Sequence, residues 1–152
     1  MMNHVLRLVV LITCGMSSVS AYADPAYLGE WVPTSTTSIS ITGSMNIEKD
    51  RIVFDGHREM RIANKRHRDV MDELRGPLTL DKFDIQGPVV IEGLNGNTFK
   101  RDYRNVILMQ TDGQNELRIY MCTDEELEKN GPIRIDVFGL CDSYSYKRQN
   151  IS

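Results

Sequence analysis

The stretch TSISITGSMNIEKDRIVF, residues 37–54, constrains this chain more than any other. Ile39, Ile41, Met45 and Ile47 alternate with Ser38, Ser40, Ser44 and Glu48. A period of two is the mark of a strand with one buried face. Gly43 falls on the apolar face, where a strand bends or bulges. Lys49-Asp50 then turns the chain, Ile52 and Phe54 continue the pattern, Asp55-Gly56 makes the next turn, and Met60 and Ile62 add a third alternating pair.

The rhythm breaks at NKRHRDVMDELRGP, where Val70, Met71 and Leu74 are spaced for one or two surface helical turns ended by Gly76-Pro77. Strand pattern resumes at Leu78 and Leu80. Its apolar parity then shifts to Phe83 and Ile85, which predicts a bulge near Asp81-Lys82. Two hairpins follow, turning at Asn95-Gly96 and at Asp112-Gly113, with Leu117, Ile119 and Met121 on one face of the second. Thr123 and Glu126 form a capping box for a short helix that Gly131 ends. IRIDVFGLC and YSYKR read as final strands, and Tyr144 and Tyr146 share a face, for which core filling is the default. Short strands with frequent turn signals, and no repeats or linkers, predict an all-β, minor-α fold. The expected architecture is an antiparallel barrel or sandwich with one or two short helices.

The leader MMNHVLRLVVLITCGMSSVSAYA combines one arginine, a short apolar core and a small-x-small end, the parts of a secretory signal. The expected division is a signal peptide over 1–23 and one domain over 24–152. The apolar run is too short to remain as a membrane anchor. Lipoprotein processing at Cys14 is the rival, and Thr13 before that cysteine fits it poorly. The expected location is the periplasm, with secretion as the alternative.

Loss of Arg7 with the leader lowers the net charge of −3 by one unit. Mild acidity gives no argument for a nucleic-acid partner. Cys122 and Cys141 remain, and two cysteines in an exported chain predict a disulfide.

Three motifs together resemble the lipocalins and related calycin barrels. Gly29-Glu30-Trp31 is similar to their N-terminal Gly-x-Trp, in which the tryptophan plugs one end of the barrel. Arg101-Asp102-Tyr103, before NVILMQ, is similar to their Thr-Asp-Tyr motif, with Arg101 in the place of threonine. ELRIYMCTDEELEK, 116–129, looks like the last barrel strand running into a helix, and Cys122 and Thr123 stand where the family has an arginine over the tryptophan. The resemblance implies structural roles for Trp31, Asp102 and Tyr103. It also implies a small apolar or amphipathic ligand inside the barrel, entering opposite Trp31.

Chemistry-bearing patterns are sparse. The mature chain has His57 and His67 but no Gly-x-Ser-x-Gly, phosphate-cradling loop or His-Glu-x-x-His, so no catalytic residue, metal or cofactor is expected. Asp69, Asp72 and Glu73 read as a solvated face. The segment 57–68 gathers Arg58, Arg61, Lys65, Arg66, His67 and Arg68 around a single Glu59. Such a patch attracts anionic ligands or acidic protein surfaces, and a solubilising surface segment paired with nearby acids is the bland alternative. The leading expectation is therefore a non-enzymatic binding protein. The alternative is an inhibitor or immunity-type protein that binds a cell-wall hydrolase or toxin. Oligomeric state is not legible.

Overall fold

The computed structural model describes residues 23, 26–72, 76–89, 91–92, 98–99, 101–110, 115–128 and 141–149. In chain order the elements are β1 Gly29–Pro33, α1 Thr36–Ile41, β2 Met45–Ile47, β3 Arg51–Phe54, β4 Arg58–Asp72 and β5 Gly76–Gln86. They continue with β6 Ile91–Glu92, β7 Thr98–Phe99, β8 Asn105–Gln110, β9 Glu116–Cys122, α2 Asp124–Glu128 and β10 Asp142–Arg148. β1 to β5 and β8 to β10 form a closed barrel in which each strand lies beside the next and β10 returns to β1. Every pair is antiparallel. The protein is all-β, with two short helices. Among the described residues β6 and β7 pair with each other, and the Asn95-Gly96 turn expected to join them lies outside those residues. Outside them too lie residues 1–22 of the expected leader, the expected turn at Asp112-Gly113, the expected helix end at Gly131, and residues 133–140 of an expected strand.

The barrel is steeply staggered. From Trp31, paired residues lead through Met45 and Phe54 to Arg58. From Pro33, two residues on, they lead the other way through Tyr146, Leu117, Gln110 and Thr79 to Asp69. Neighbouring positions of β1 thus reach points eleven residues apart on β4 (58 against 69). Closing a sheet demands such stagger. It also leaves the far half of β4 with no strand on its β3 side among the described residues.

Alternation sorts the side chains. Trp31, Met45, Ile47, Ile52, Phe54, Met60, Phe83, Val106, Leu108, Ile119, Met121, Tyr144 and Tyr146 meet inside the barrel and are buried. A second cluster covers the outer wall: Leu78, Leu80, Ile107, Met109, Tyr120, Cys122 and Cys141, with Leu127 of α2 against it. β8 is consequently buried at all six positions. Cys122 and Cys141 form a disulfide, with Cα atoms 4.8 Å apart, tying the end of β9 to the start of β10.

Four local expectations are overturned. Residues 36–41 form a helix and not a strand. Ser35 caps it reciprocally with Ser38, at 3.2 Å each way, and Ile39 stands 54% exposed. Gly43, at φ +65°, stops it by donating to Ser38 O at 2.8 Å. Residues 64–72, expected as helical turns, continue β4, so Asp69 and Asp72 lie on a strand. The bulge falls on β4 between Ala63 and Arg66, where Asn64 has φ +54°, and not on β5. The parity shift in β5 arises because Leu78 and Leu80 are buried outward while Phe83 and Ile85 are buried inward. Finally, β9 is the seventh barrel strand; the eighth is β10.

Candidate functional site

Trp31 sits at the end where the chain enters the barrel. Its indole N–H donates to Tyr27 O at 2.8 Å, and the Arg148 guanidinium lies over its ring, 4.5 Å from the centroid. Arg148 Nη1 donates to Leu28 O at 3.3 Å, and Nη2 donates to Ala26 O. Gly29, at φ +108°, adopts a backbone that side chains disfavour and lets the chain pass beneath this arginine. An arginine over the tryptophan is therefore present, although Cys122 and Thr123 occupy the place where the motif alignment sought it. It comes from the true last strand.

The opposite end is closed by the chain itself. Ile41 and Thr42 are buried, and Thr42 Oγ1 shares a hydrogen bond with Tyr146 OH. Arg58 donates from Nη1 to Ile41 O and from Nη2 to Thr42 O, both at 2.9 Å, which suits a cation at a helix C-terminus. Tyr103 is fully buried, donates to Asp142 Oδ2, and carries Arg101 5.8 Å from its ring centroid. Burial and that carboxylate push the Tyr103 hydroxyl well above its usual range. Asp102 is exposed and pairs with Arg104 at 3.0 Å. The end expected to admit a ligand is filled by these groups.

The basic segment divides into two sets. Arg58 holds α1. Lys65 and His67 converge on Asp81, which points inward from β5 and is fully buried. His67 Nδ1 lies 2.6 Å from Asp81 Oδ1. Lys65 Nζ is 3.1 Å from Oδ2, an ion pair without hydrogen-bonding alignment. Asp69 Oδ1 reaches His67 Nε2 at 3.3 Å. Arg61, Arg66 and Arg68 are exposed. The exposed patch is thus smaller than the sequence implies. Sequence reading missed Asp81 as its anchor, for which the only signal was a lone aspartate on the apolar parity of Phe83 and Ile85.

The Asp81 hydrogen bond raises the His67 pKa above its ordinary value of 6.5, with Asp69 contributing. A raised folded-state pKa stabilises below the unfolded value, and that contribution fades as pH climbs through the folded value. Unfolding free energy is therefore expected to fall as pH rises above about 6.5, the unfolded value, more steeply in the wild type than in His67→Gln. Parallel urea-melt profiles for the two would refute the assignment.

Outward residues of β8, β9 and β10 also border a cavity of about 550 Å3. Met109, Glu116, Arg118, Ser145 and Lys147 line it from outward positions, with Thr34 and Ser35 just past β1 and with Leu117 and Tyr146. Met109, Arg118 and Ser145 lie opposite one another, one residue off the inward row of Leu108, Ile119 and Tyr144, so most of this lining is on the outer wall, with Leu117 and Tyr146 of the inner cluster completing it. Among the described residues no cluster of His, Cys, Asp and Glu could hold a metal ion. No described helix is long and apolar enough to cross a membrane.

Comparison with protein-family models, with curated proteins and with solved structures finds no match for this chain.

Proposed function

We propose that this is an exported, non-catalytic binding protein of calycin-like architecture that engages another protein through its outer surface. The carrying observation is the far half of β4, which runs past its β3 neighbour and presents Asn64, Arg66, His67, Arg68 and Asp69 to solvent. The packed lumen supports a surface role over carriage of a small ligand inside the barrel. Trp31, Phe54, Phe83, Tyr103 and Tyr146 all fill it, each no more than 2% exposed. The eight-strand meander and the Arg148–Trp31 stack support the calycin relation. The Cys122–Cys141 pair supports an oxidising compartment such as the periplasm.

The test is native mass spectrometry of protein purified from its own envelope, beside the variant Arg61→Glu/Arg66→Glu. Both side chains are exposed, so the fold should survive the change. A protein adduct on the wild type that the variant loses is the expected result. A co-purifying small molecule on both, with no protein adduct, would overturn the proposal and direct attention to the wall cavity.

A further inference from the structure

We propose that the cavity on the outer wall of β8, β9 and β10 binds a small amphipathic monoanion, an apolar body carrying one carboxylate or sulfonate. This goes beyond the surface-binding reading and does not rest on it. In the ring of strands β10 stands across from β4, so the cavity and the basic segment lie on opposite walls.

The ladder register builds the site. Met109 of β8, Arg118 of β9 and Ser145 of β10 are directly paired neighbours. Thr34, just past β1, extends this row by donating its N–H to Ser145 O at 2.8 Å. Four positions at the inter-strand spacing of about 4.8 Å give a row about 14 Å long. The cavity of about 550 Å3 along it falls within the range of small-molecule sites, roughly 300–1,000 Å3. Its polar end is held in place. Ser38 Oγ of α1 donates to Ser145 O at 3.0 Å, the same carbonyl that Thr34 engages, so the backbone there is fixed before any ligand arrives.

Charge selects the occupant. Glu116 and Lys147 stand directly opposite each other in the next row, where their charges offset. Arg118 is half-buried between two uncharged neighbours, Met109 and Ser145. With two cations against one anion, the described lining carries one positive charge in excess. A guanidinium presents a planar fork of N–H donors that matches a carboxylate or sulfonate. The row is also asymmetric. On one side of Arg118 stand Ser145 and Thr34, whose hydroxyls can donate to an anionic head. On the other stands Met109, 1% exposed, whose adaptable thioether suits an aromatic or aliphatic body. The site thus sets an orientation, with the head toward β1 and the body toward β8.

The experiment uses the full mature protein and two fluorescent probes, anilinonaphthalene sulfonate and phenylnaphthylamine. The second keeps the ring body and lacks the sulfonate. Saturable one-to-one binding of the sulfonate is expected, with amide shift changes confined to Thr34, Met109, 116–118 and 145–147. The neutral probe should bind about tenfold more weakly, the worth of one charge-assisted hydrogen bond. Arg118→Gln should bring the sulfonate down to the neutral probe's affinity and leave the neutral probe unchanged. Glu116→Gln removes the one anion and should tighten the sulfonate by about twofold to fivefold, the size of an exposed charge interaction. A gain of this kind cannot come from a damaged fold. Arg61→Glu/Arg66→Glu, on the opposite wall, should bind both probes as the wild type does. Equal affinity for the two probes, indifference to Arg118→Gln and Glu116→Gln, shift changes centred elsewhere, loss of binding in Arg61→Glu/Arg66→Glu, or no binding of either probe each overturns the site. None of these outcomes bears on the protein adduct that tests the surface-binding reading.

Discussion

Trp31→Ala should lower the unfolding free energy by about 3–5 kcal/mol, the range for removing a large buried aromatic. Trp31 is 1% exposed, donates its indole N–H, and is roofed by Arg148, so the cavity left behind would be bounded by β1, β2 and β10. Arg148→Ala removes the cation above the ring and two donors to the carbonyls of Ala26 and Leu28. The two substitutions should be non-additive. A cation–π contact of this kind contributes on the order of 0.5–2 kcal/mol, so the double variant should lose less than the sum by about that amount. Urea unfolding of the four proteins measures the cycle. Strict additivity would mean that the stack in the structure carries no coupling energy.

Removing the disulfide is the second large effect. Cys122→Ala/Cys141→Ala should cost about 3 kcal/mol, from the loop of 19 positions that the bond closes. Alanine is the right replacement because Cys122 is fully buried among Ile107, Met109 and Tyr120, where a serine hydroxyl would add its own penalty. Reduced wild type should match the alanine variant. A loss below about 1 kcal/mol in both would show that the outer cluster and α2 hold β9 to β10 without the bond.

The parts of the fold that were legible obey a local rule. Alternation gave Ile52, Phe54, Met60 and Ile62 correctly because their strands bury one face only. Thr123 and Glu126 cap α2 as their spacing implies, with Thr123 N–H to Glu126 Oε2 at 2.8 Å. Tyr144 and Tyr146 fill the core. The failures come from competition between rules. Ser-Ile-Ser-Ile alternates like a strand, but Ser35, Ser38 and Gly43 supply both ends of a helix, and the caps prevailed. Leu78 and Leu80 suggested a bulge because an outer hydrophobic layer is invisible to a one-faced reading of β5. The unbroken apolar run Val106–Met109 was the available signal for that layer. At the candidate site, composition exposed the basic segment. It did not show that Lys65 and His67 turn inward to Asp81, a pairing fourteen or more positions apart in the chain that only the β4–β5 register creates.

The seam between β1 and β10 also has a mechanical meaning. Among the described residues three registered pairs join them, Trp31–Arg148, Val32–Lys147 and Pro33–Tyr146, flanked by Gln149 N–H to Glu30 O at 3.3 Å and Thr34 N–H to Ser145 O at 2.8 Å. The strands are antiparallel, so Gly29 and Arg148 lie at the same end of the barrel. Tension applied through the two ends of the domain would peel the seam pair by pair rather than load all its hydrogen bonds at once. The first bond met is Gln149 N–H to Glu30 O at 3.3 Å, and the stacked Trp31–Arg148 pair stands directly behind it as the latch of a zipper.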